Sequence, residues 1–357
     1  MRRDDLEKIL SIGTIDDTQN IYIWGTGNTA QLYQEGLARI ENFHFVGYAD
    51  NNPQKWGKVF CNKRIFSPRE IESDSQALVL IASPQPKVYS DVHNQLAELG
   101  IRNMHIDRYI FALYKSEVLK CFDLFEDEWS KQLYIHLIEC RINGRNPDRE
   151  YVDNSFYSSV GFFSNIDSNE VFVDCGAYVG DTIEKYIWHK EGNFNKIFAF
   201  EPDGKNVCAI EKRVDRLVGE WAINPQKIQV YPFGVTDQSS KMYVEHYENN
   251  NGFGSKITSS LQEGSDVCRV VALDDVIKEP IGYLKADIES FEYRMLLGAE
   301  ETIKKYTPNL SICIYHNAMD FFEIPLLISR FDTRYHFALR HYSGVFADTV
   351  MHAWVEK

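Results

Sequence analysis

The sequence predicts an α/β protein built from two Rossmann-like units of parallel strands, a smaller one first and a larger one after it, joined by helices. Three observations carry that expectation. Twice an apolar run ends in a glycine turn that opens a helix: Ile21-Tyr22-Ile23-Trp24 before Gly25-Thr26-Gly27-Asn28-Thr29-Ala30, and Val171-Phe172-Val173-Asp174 before Cys175-Gly176-Ala177-Tyr178-Val179-Gly180-Asp181-Thr182. Each is followed by a second apolar strand closed by an acid, Asp50 or Glu201, at the same interval of 25 residues from the loop's first glycine. Finally, 357 residues exceed one ordinary core, and a prior of ~150 residues per domain gives two domains.

Residues 1–20 read as a polar lead-in. Strands are expected at Ile21–Trp24, Phe43–Ala49 and Ala77–Ile81, then a helix from about Val88 to Leu99 and a short strand Asn103–Ile106, so that residues 1–108 make the smaller domain. The G-x-G-x-x-A spelling of Gly25–Ala30 suits a dinucleotide or nucleotide-sugar, with Asp50 at its ribose. The alternative is a domain that has kept the fold and lost the ligand, serving in docking or dimerisation. Residues 109–168 form a helical linker: Ile110–Leu119 and Glu126–Ile142 carry apolar residues at helical spacing, and Asn143-Gly144 stops the second. The polar and aromatic stretch 145–168 pads the next domain or closes over its ligand.

In residues 169–357 the glycine loop opens a helix, followed by strand Lys196–Phe200, a helix around Asn206–Leu217 and strand Ile228–Tyr231. Gln238–Cys268 then breaks the rhythm. Two strand-like runs, Met242–Tyr247 and Lys256–Leu261, flank the polar loop Glu248–Gly254, an insertion placed where a substrate would bind. Strand Tyr283–Ala286, helix Tyr293–Lys304 and strands Asn309–Tyr315, Tyr335–Leu339 and Thr349–Trp354 complete a seven-stranded sheet.

Composition excludes several classes of function. A net charge of −14 disfavours a nucleic-acid partner, which needs clustered Lys and Arg to release counterions. The start, MRRDDLEKIL, turns acidic before any apolar run, and no stretch of ~18 uncharged apolar residues occurs, so no membrane partner and a cytoplasmic location are expected. Seven cysteines form no C-x-x-C pair and read as reduced, mostly buried thiols, Cys175 in the glycine loop included. A homo-oligomer through the N-terminal domain or the linker helices is left open.

The spelling of the second loop selects its ligand. Where a dinucleotide loop has glycines against the pyrophosphate, this one has Tyr178 and Asp181, a bulky ring and an anion that both oppose a diphosphate. Glu201, at the end of its strand, suits the two hydroxyls of a ribose. An adenosine ligand without phosphates fits, which points to S-adenosylmethionine and methyl transfer.

The combination Asp174-Cys175-Gly176-Ala177 with Gly180-Asp181-Thr182, Phe200-Glu201-Pro202, Leu273-Asp274-Asp275, and Lys285-Ala286-Asp287-Ile288-Glu289-Ser290-Phe291-Glu292 with Gly298-Ala299 resembles the FkbM family of methyltransferases over roughly residues 150–355. Ile314-Tyr315-His316 and Leu339-Arg340-His341-Tyr342 are similar to later segments of that family. Its D-x-E-G is spelled Asp287-Ile288-Glu289-Ser290 here. The resemblance implies a seven-stranded methyltransferase domain that uses S-adenosylmethionine to methylate a hydroxyl of a sugar, surface glycan, nucleotide-linked sugar or natural product. It places the cofactor on Asp174, Gly176, Ala177, Tyr178, Gly180, Thr182, Glu201, Pro202 and Asp287.

Topology draws Asp174, Glu201, Asp287, Glu289 and His316 to one crevice beyond the strand ends. A hydroxyl acceptor must lose its proton during transfer. Either His316, with His341 as the other candidate, acts as the base, or Asp287, Glu289 and His316 hold a divalent cation that acidifies the hydroxyl. Glu292 is expected to cap the following helix. Two rival readings remain, a nucleotide-sugar-binding protein with an inactive methyltransferase domain and an NAD-dependent sugar oxidoreductase using Gly25–Asp50, although no proton-transfer pair such as Tyr-x-x-x-Lys occurs in the first hundred residues.

Overall fold

A computed structural model of the chain describes residues 2–11, 19–37, 40, 43–155, 160–161, 165–246, 255–258 and 266–356. The expected loop Glu248–Gly254 and the aromatic residues Phe156, Tyr157, Phe162 and Phe163 lie outside them.

The first sheet comprises β1 (Asn20–Trp24), β2 (Phe45–Ala49), β3 (Val59–Phe60), β4 (Lys63–Phe66), β5 (Ala77–Ile81) and β6 (Arg102–His105), in the order β3-β4-β2-β1-β5-β6. All its pairings are parallel except the β3–β4 hairpin. That hairpin was not expected, because its turn puts Cys61 and Asn62 at positive φ, 44° and 61°, and cysteine carries no turn signal. The lead-in also proves structured: α1 (Arg3–Ile9) buries Leu6 completely, and Asp5 accepts from the Arg2 backbone N–H at 2.7 Å. Helices α2 (Asn28–Leu37), α3 (Pro68–Glu72) and α4 (Pro86–Glu98) complete this unit.

Among the described residues the linker holds three α-helices rather than two: α5 (Ile106–Leu113), α6 (Lys115–Leu124) and α7 (Glu128–Ile142). The expected single helix Ile110–Leu119 breaks at Tyr114, whose backbone leaves the helical region at φ −98°, ψ 30°. Asp127 caps α7 by accepting from the Ser130 N–H at 2.8 Å. One apolar cluster runs from Ile23 through Ile110 and Tyr134 to Phe321 and Leu339, so the linker is core shared by both sheets.

The second unit contains β7 (Val171–Cys175), α8 (Asp181–His189), β8 (Lys196–Phe200), α9 (Gly204–Trp221), β9 (Ile228–Tyr231), β10 (Phe233–Val235), β11 (Ser240–His246), β12 (Ser255–Thr258), β13 (Asp266–Val271), α10 (Leu273–Val276), β14 (Tyr283–Ala286), α11 (Glu292–Leu297), α12 (Glu300–Tyr306), β15 (Asn309–Cys313), α13 (Asp320–Phe331), β16 (His336–His341) and β17 (Thr349–Trp354). Seven strands form the main sheet in the order β16-β17-β15-β14-β7-β8-β9, with β17 antiparallel to both neighbours. The strands of the insertion, β11, β12 and β13, join β10 in a separate four-stranded sheet, β10-β13-β11-β12. The expected helix Tyr293–Lys304 is split at Gly298, where a Cβ would stand 2.2 Å from the Thr236 carbonyl oxygen, so the chain must bend around a neighbouring segment. Among the described residues no helix is long and apolar enough to cross a membrane.

Candidate active site

The order of the main sheet reverses between β7 and β14, and open α/β sheets bind ligands in the crevice beyond the carboxyl ends of strands at such a point. A cavity of about 470 Å³ lies there. Its walls include Gly176, Tyr178, Thr182, Glu201, Pro202, Asp287 and Glu289, so most of the residues singled out in the sequence do converge.

Gly176 sits at φ 76°, and a Cβ on it would stand 1.9 Å from the Asp287 carbonyl oxygen. The two central strands therefore cross over into their loops at van der Waals contact. Gly180, at φ 80°, turns the chain into α8, and Tyr178 shares the left-handed region at φ 48°. Glu201 is nearly buried; its carboxylate accepts from the Tyr178 N–H at 2.9 Å, the Asp203 N–H at 3.0 Å and the Asn206 amide at 3.3 Å. Burial raises its pKa above the usual carboxylate range, against those hydrogen bonds.

Asp174, Ala177 and Gly180 stand behind this wall. Asp174 is fully buried and lies 3.1 Å from the Lys285 ammonium, its direct cross-strand neighbour, which donates to the Gly176 carbonyl at 2.9 Å. Burial pushes the Asp174 carboxyl up to about 6 despite Lys285, and burial also opposes the lysine's charge, which Asp174 and Asp287 more than restore. The pair pins β14 against β7 beneath the cofactor loop.

His316 is placed differently from the sequence expectation. It lies just past β15, behind Asp287, and faces a second cavity of about 210 Å³ walled by Tyr33, His105 and Arg141, with Tyr315 common to both cavities. Its Nε2 is 3.4 Å from Asp287 and 3.8 Å from Glu289, and its Nδ1 is 3.4 Å from Glu292. Burial lowers the affinity of the imidazole for its proton, but Glu292, Glu289 and Asp287 outweigh it and lift the pKa to about 9. Such an imidazole is protonated at neutral pH, the wrong starting state for a base. His341 is fully buried in β16, bonded through Nδ1 to Thr349 at 2.8 Å and held down to about 4 by burial, as a structural histidine would be.

Polar or aromatic lining residues that were given no role from the sequence include Lys185, Asn206, Phe233, Lys285, Tyr315, Tyr342 and Asp348. Lys285 did leave a signal, a charge inside the apolar strand Tyr283–Ala286. Tyr315, whose hydroxyl donates to Asp287 at 3.1 Å, appeared only within the motif Ile314-Tyr315-His316. Glu292 does not cap α11 by a side-chain hydrogen bond: it sits in the helix's first turn, fully buried, accepts from the Ile288 N–H at 2.7 Å and faces His316. Among the described residues, Asp287, Glu292 and His316 form a group whose ligating atoms lie within 4.8 Å of one another. The thiols are free, and burial raises the pKa of Cys175 far above the range of a nucleophile.

In the N-terminal unit the corresponding acid is already engaged. Asp50 accepts from Lys55 at 2.8 Å, Thr26 at 2.6 Å and the Asn52 N–H at 2.9 Å. Those hydrogen bonds overcome its partial burial and hold its pKa below the usual range.

The second unit thus has the sheet order, the switch-point crevice and the strand-end carboxylate of a Rossmann-like transferase. Residues 174–337 match the Methyltransferase FkbM domain, and this part of the chain is an FkbM methyltransferase domain. Residues 17–107 match a separate model, C2185-like, N-terminal. The crystal structure of methyltransferase FkbM from Methylobacillus flagellatus KT superposes with a TM-score of 0.54 at 16% identity, covering 99% of this chain and 92% of that one, so the fold is shared from end to end. An rRNA methylase from Streptococcus thermophilus covers 57% of this chain and 99% of its own at 14% identity and a TM-score of 0.36, a likeness too slight to bear on function. No curated protein matches the chain.

Proposed function

We propose that the C-terminal domain binds S-adenosylmethionine in the 470 Å³ crevice and methylates a hydroxyl of a sugar, whether free, in a glycan or linked to a nucleotide. The observation that carries the cofactor is Glu201. It is a nearly buried strand-end carboxylate held only by neutral donors, beside a loop whose Tyr178 and Asp181 oppose phosphate. The chain's residues fit the ligand: Gly176, turning at φ 76°, and Glu201 both line the crevice, and the Glu201 oxygens suit a ribose diol.

Bound there, S-adenosylmethionine supplies an electrophilic methyl group on a sulfonium. Glu201 holds the ribose, and Asp287, fixed by the Tyr315 hydroxyl, reaches the cofactor's amino end or the acceptor. Glu289, 40% exposed at the side chain, faces the crevice as the acceptor of the hydroxyl proton. Strand β10 supplies Phe233, Gly234 and Val235 to the acceptor side, and the insertion supplies Ile257. The resemblance to FkbM methyltransferases supports a sugar acceptor. The intact Gly176, Glu201 and Asp287 geometry weighs against an inactive domain, and the Asp50–Lys55 pair weighs against NAD at the first loop.

The test is incubation of the full chain with S-adenosylmethionine and a panel of sugars, nucleotide-sugars and cell-surface glycans, read by mass spectrometry. The proposal expects a one-methyl increase on a hydroxyl of one class, lost in Glu201→Ala. Methylation of a nitrogen, or none in any class by a chain that binds S-adenosylhomocysteine, contradicts the acceptor assignment.

A further inference from the structure

The wall between the two cavities concentrates charge of one sign. Asp287 and Glu292 each lie 3.4 Å from His316, and Glu289 lies 3.8 Å away. Asp320 adds a fourth carboxylate and is itself almost fully buried. Lys285, whose ammonium lies 3.1 Å from Asp174, divides its charge between that carboxylate and Asp287. A single imidazolium does not balance that set, and buried charge without a partner is costly.

The polar atoms tell the same story. Both ring nitrogens of His316 and the Oε2 of Glu292 are buried without a hydrogen-bond partner, although the His316 side chain is only 5% exposed and Glu292 fully enclosed. Buried polar groups left unpaired in this way mark an absent ion or water. Glu292 cannot rotate away, because its other oxygen accepts from the Ile288 N–H. The turn that presents Glu289 holds two successive residues without glycine at positive φ, Glu289 at 55° and Ser290 at 78°. Strain retained beside a site is a mark of use.

We infer that Asp287, Glu292 and one ring nitrogen of His316, which releases its proton to solvent on binding, hold a divalent cation, with Glu289 closing the set from the crevice side. Three oxygen ligands and one imidazole suit Mg²⁺ or Mn²⁺ rather than a thiophilic metal. The chemistry rests on the methyl-transfer reading, though the binding does not. A cation beside Asp287 and Glu289 acidifies the acceptor hydroxyl, whose proton passes to Glu289 or solvent as the O–C bond forms and the S–C bond breaks, leaving a neutral thioether.

Calorimetric titration of Mn²⁺ into the chelator-treated full chain tests the inference. It expects one saturable site per chain, weakened at least tenfold in His316→Gln and Asp287→Asn, with an Mn²⁺-dependent rise in melting temperature that both variants lose. Glu289→Gln, on a half-exposed side chain, weakens uptake without touching the core. No saturable uptake at millimolar Mn²⁺, or uptake unchanged in all three variants, overturns the site. S-adenosylhomocysteine titrated into the same chelator-treated sample separates the two readings: its retained binding where Mn²⁺ fails to bind removes the cation and leaves the methyltransferase proposal standing.

Discussion

The two glycine loops of this chain share a spacing and differ in tightness. A Cβ on Gly176 would strike the Asp287 carbonyl oxygen at 1.9 Å, whereas one on Gly25 would rest 3.6 Å from the Ala82 oxygen and one on Gly27 would meet nothing within 4 Å. Their strand-end acids differ in the same sense. Asp50 is paired with Lys55, while Glu201 is held by uncharged donors and burial raises its pKa. The common interval reflects βαβ geometry. Readiness for a ligand shows in how closely the loop packs and whether the acid is already paired.

The largest effect that would break this comparison is a substitution in the tight loop. Gly176→Ala should cost about 4 kcal/mol or more, because backbone has to move; Gly25→Ala, with room for its methyl but a φ of 109°, should cost about 1–2 kcal/mol. Urea denaturation of both variants checks the ranking, and equal losses would erase the distinction. Next comes the buried pair beneath the cofactor loop. Lys285→Met leaves Asp174 without its cation and should lower stability by about 3–5 kcal/mol, most of it regained in Lys285→Met/Asp174→Leu.

A smaller effect is pH-linked. His352, fully buried between Ser311 and Tyr342, is held down to about 3 by burial. Its folded pKa is depressed below the unfolded value, so its contribution is in place above pH ~6.5 and is lost as pH falls below that value. Between pH 7 and 5 the wild-type chain should lose roughly 2 kcal/mol more than His352→Gln. Indistinguishable slopes would mean that the imidazole is solvated. The smallest effect sharpens the site itself: Ser290→Gly should gain about 0.5–1 kcal/mol by relieving the left-handed φ of 78°, net of the added freedom of the unfolded chain. A loss would show the serine side chain to be used.

Much of the scaffold was legible because short apolar runs report buried parallel strands directly. The strands Ala77–Ile81, Lys196–Phe200, Ile228–Tyr231, Tyr283–Ala286 and Thr349–Trp354 fall where the sequence puts them. The breaks were not legible, since each depends on a distant partner: the helix around Gly298 yields to the Thr236 carbonyl, 62 residues away in sequence. In the site, Gly176, Tyr178, Glu201, Asp287 and Glu289 could be placed by topology alone. His316 could not, because its surroundings are set by α11 and α13, which bring Glu292 and Asp320 against it. The Lys285–Asp174 pair needed the β14–β7 register.

The central claim, that the second loop and not the first holds an adenosine ligand without phosphates, is tested most directly by calorimetric titration of S-adenosylhomocysteine and NAD, side by side, into the full chain and its Glu201→Ala and Asp50→Ala variants. A charge-assisted contact to two hydroxyls is worth about 1.5–3 kcal/mol per bond, so Glu201→Ala should weaken S-adenosylhomocysteine at least tenfold while Asp50→Ala leaves it unchanged, with NAD bound by none. A loss below threefold in Glu201→Ala, or S-adenosylhomocysteine binding that depends on Asp50, would contradict the account.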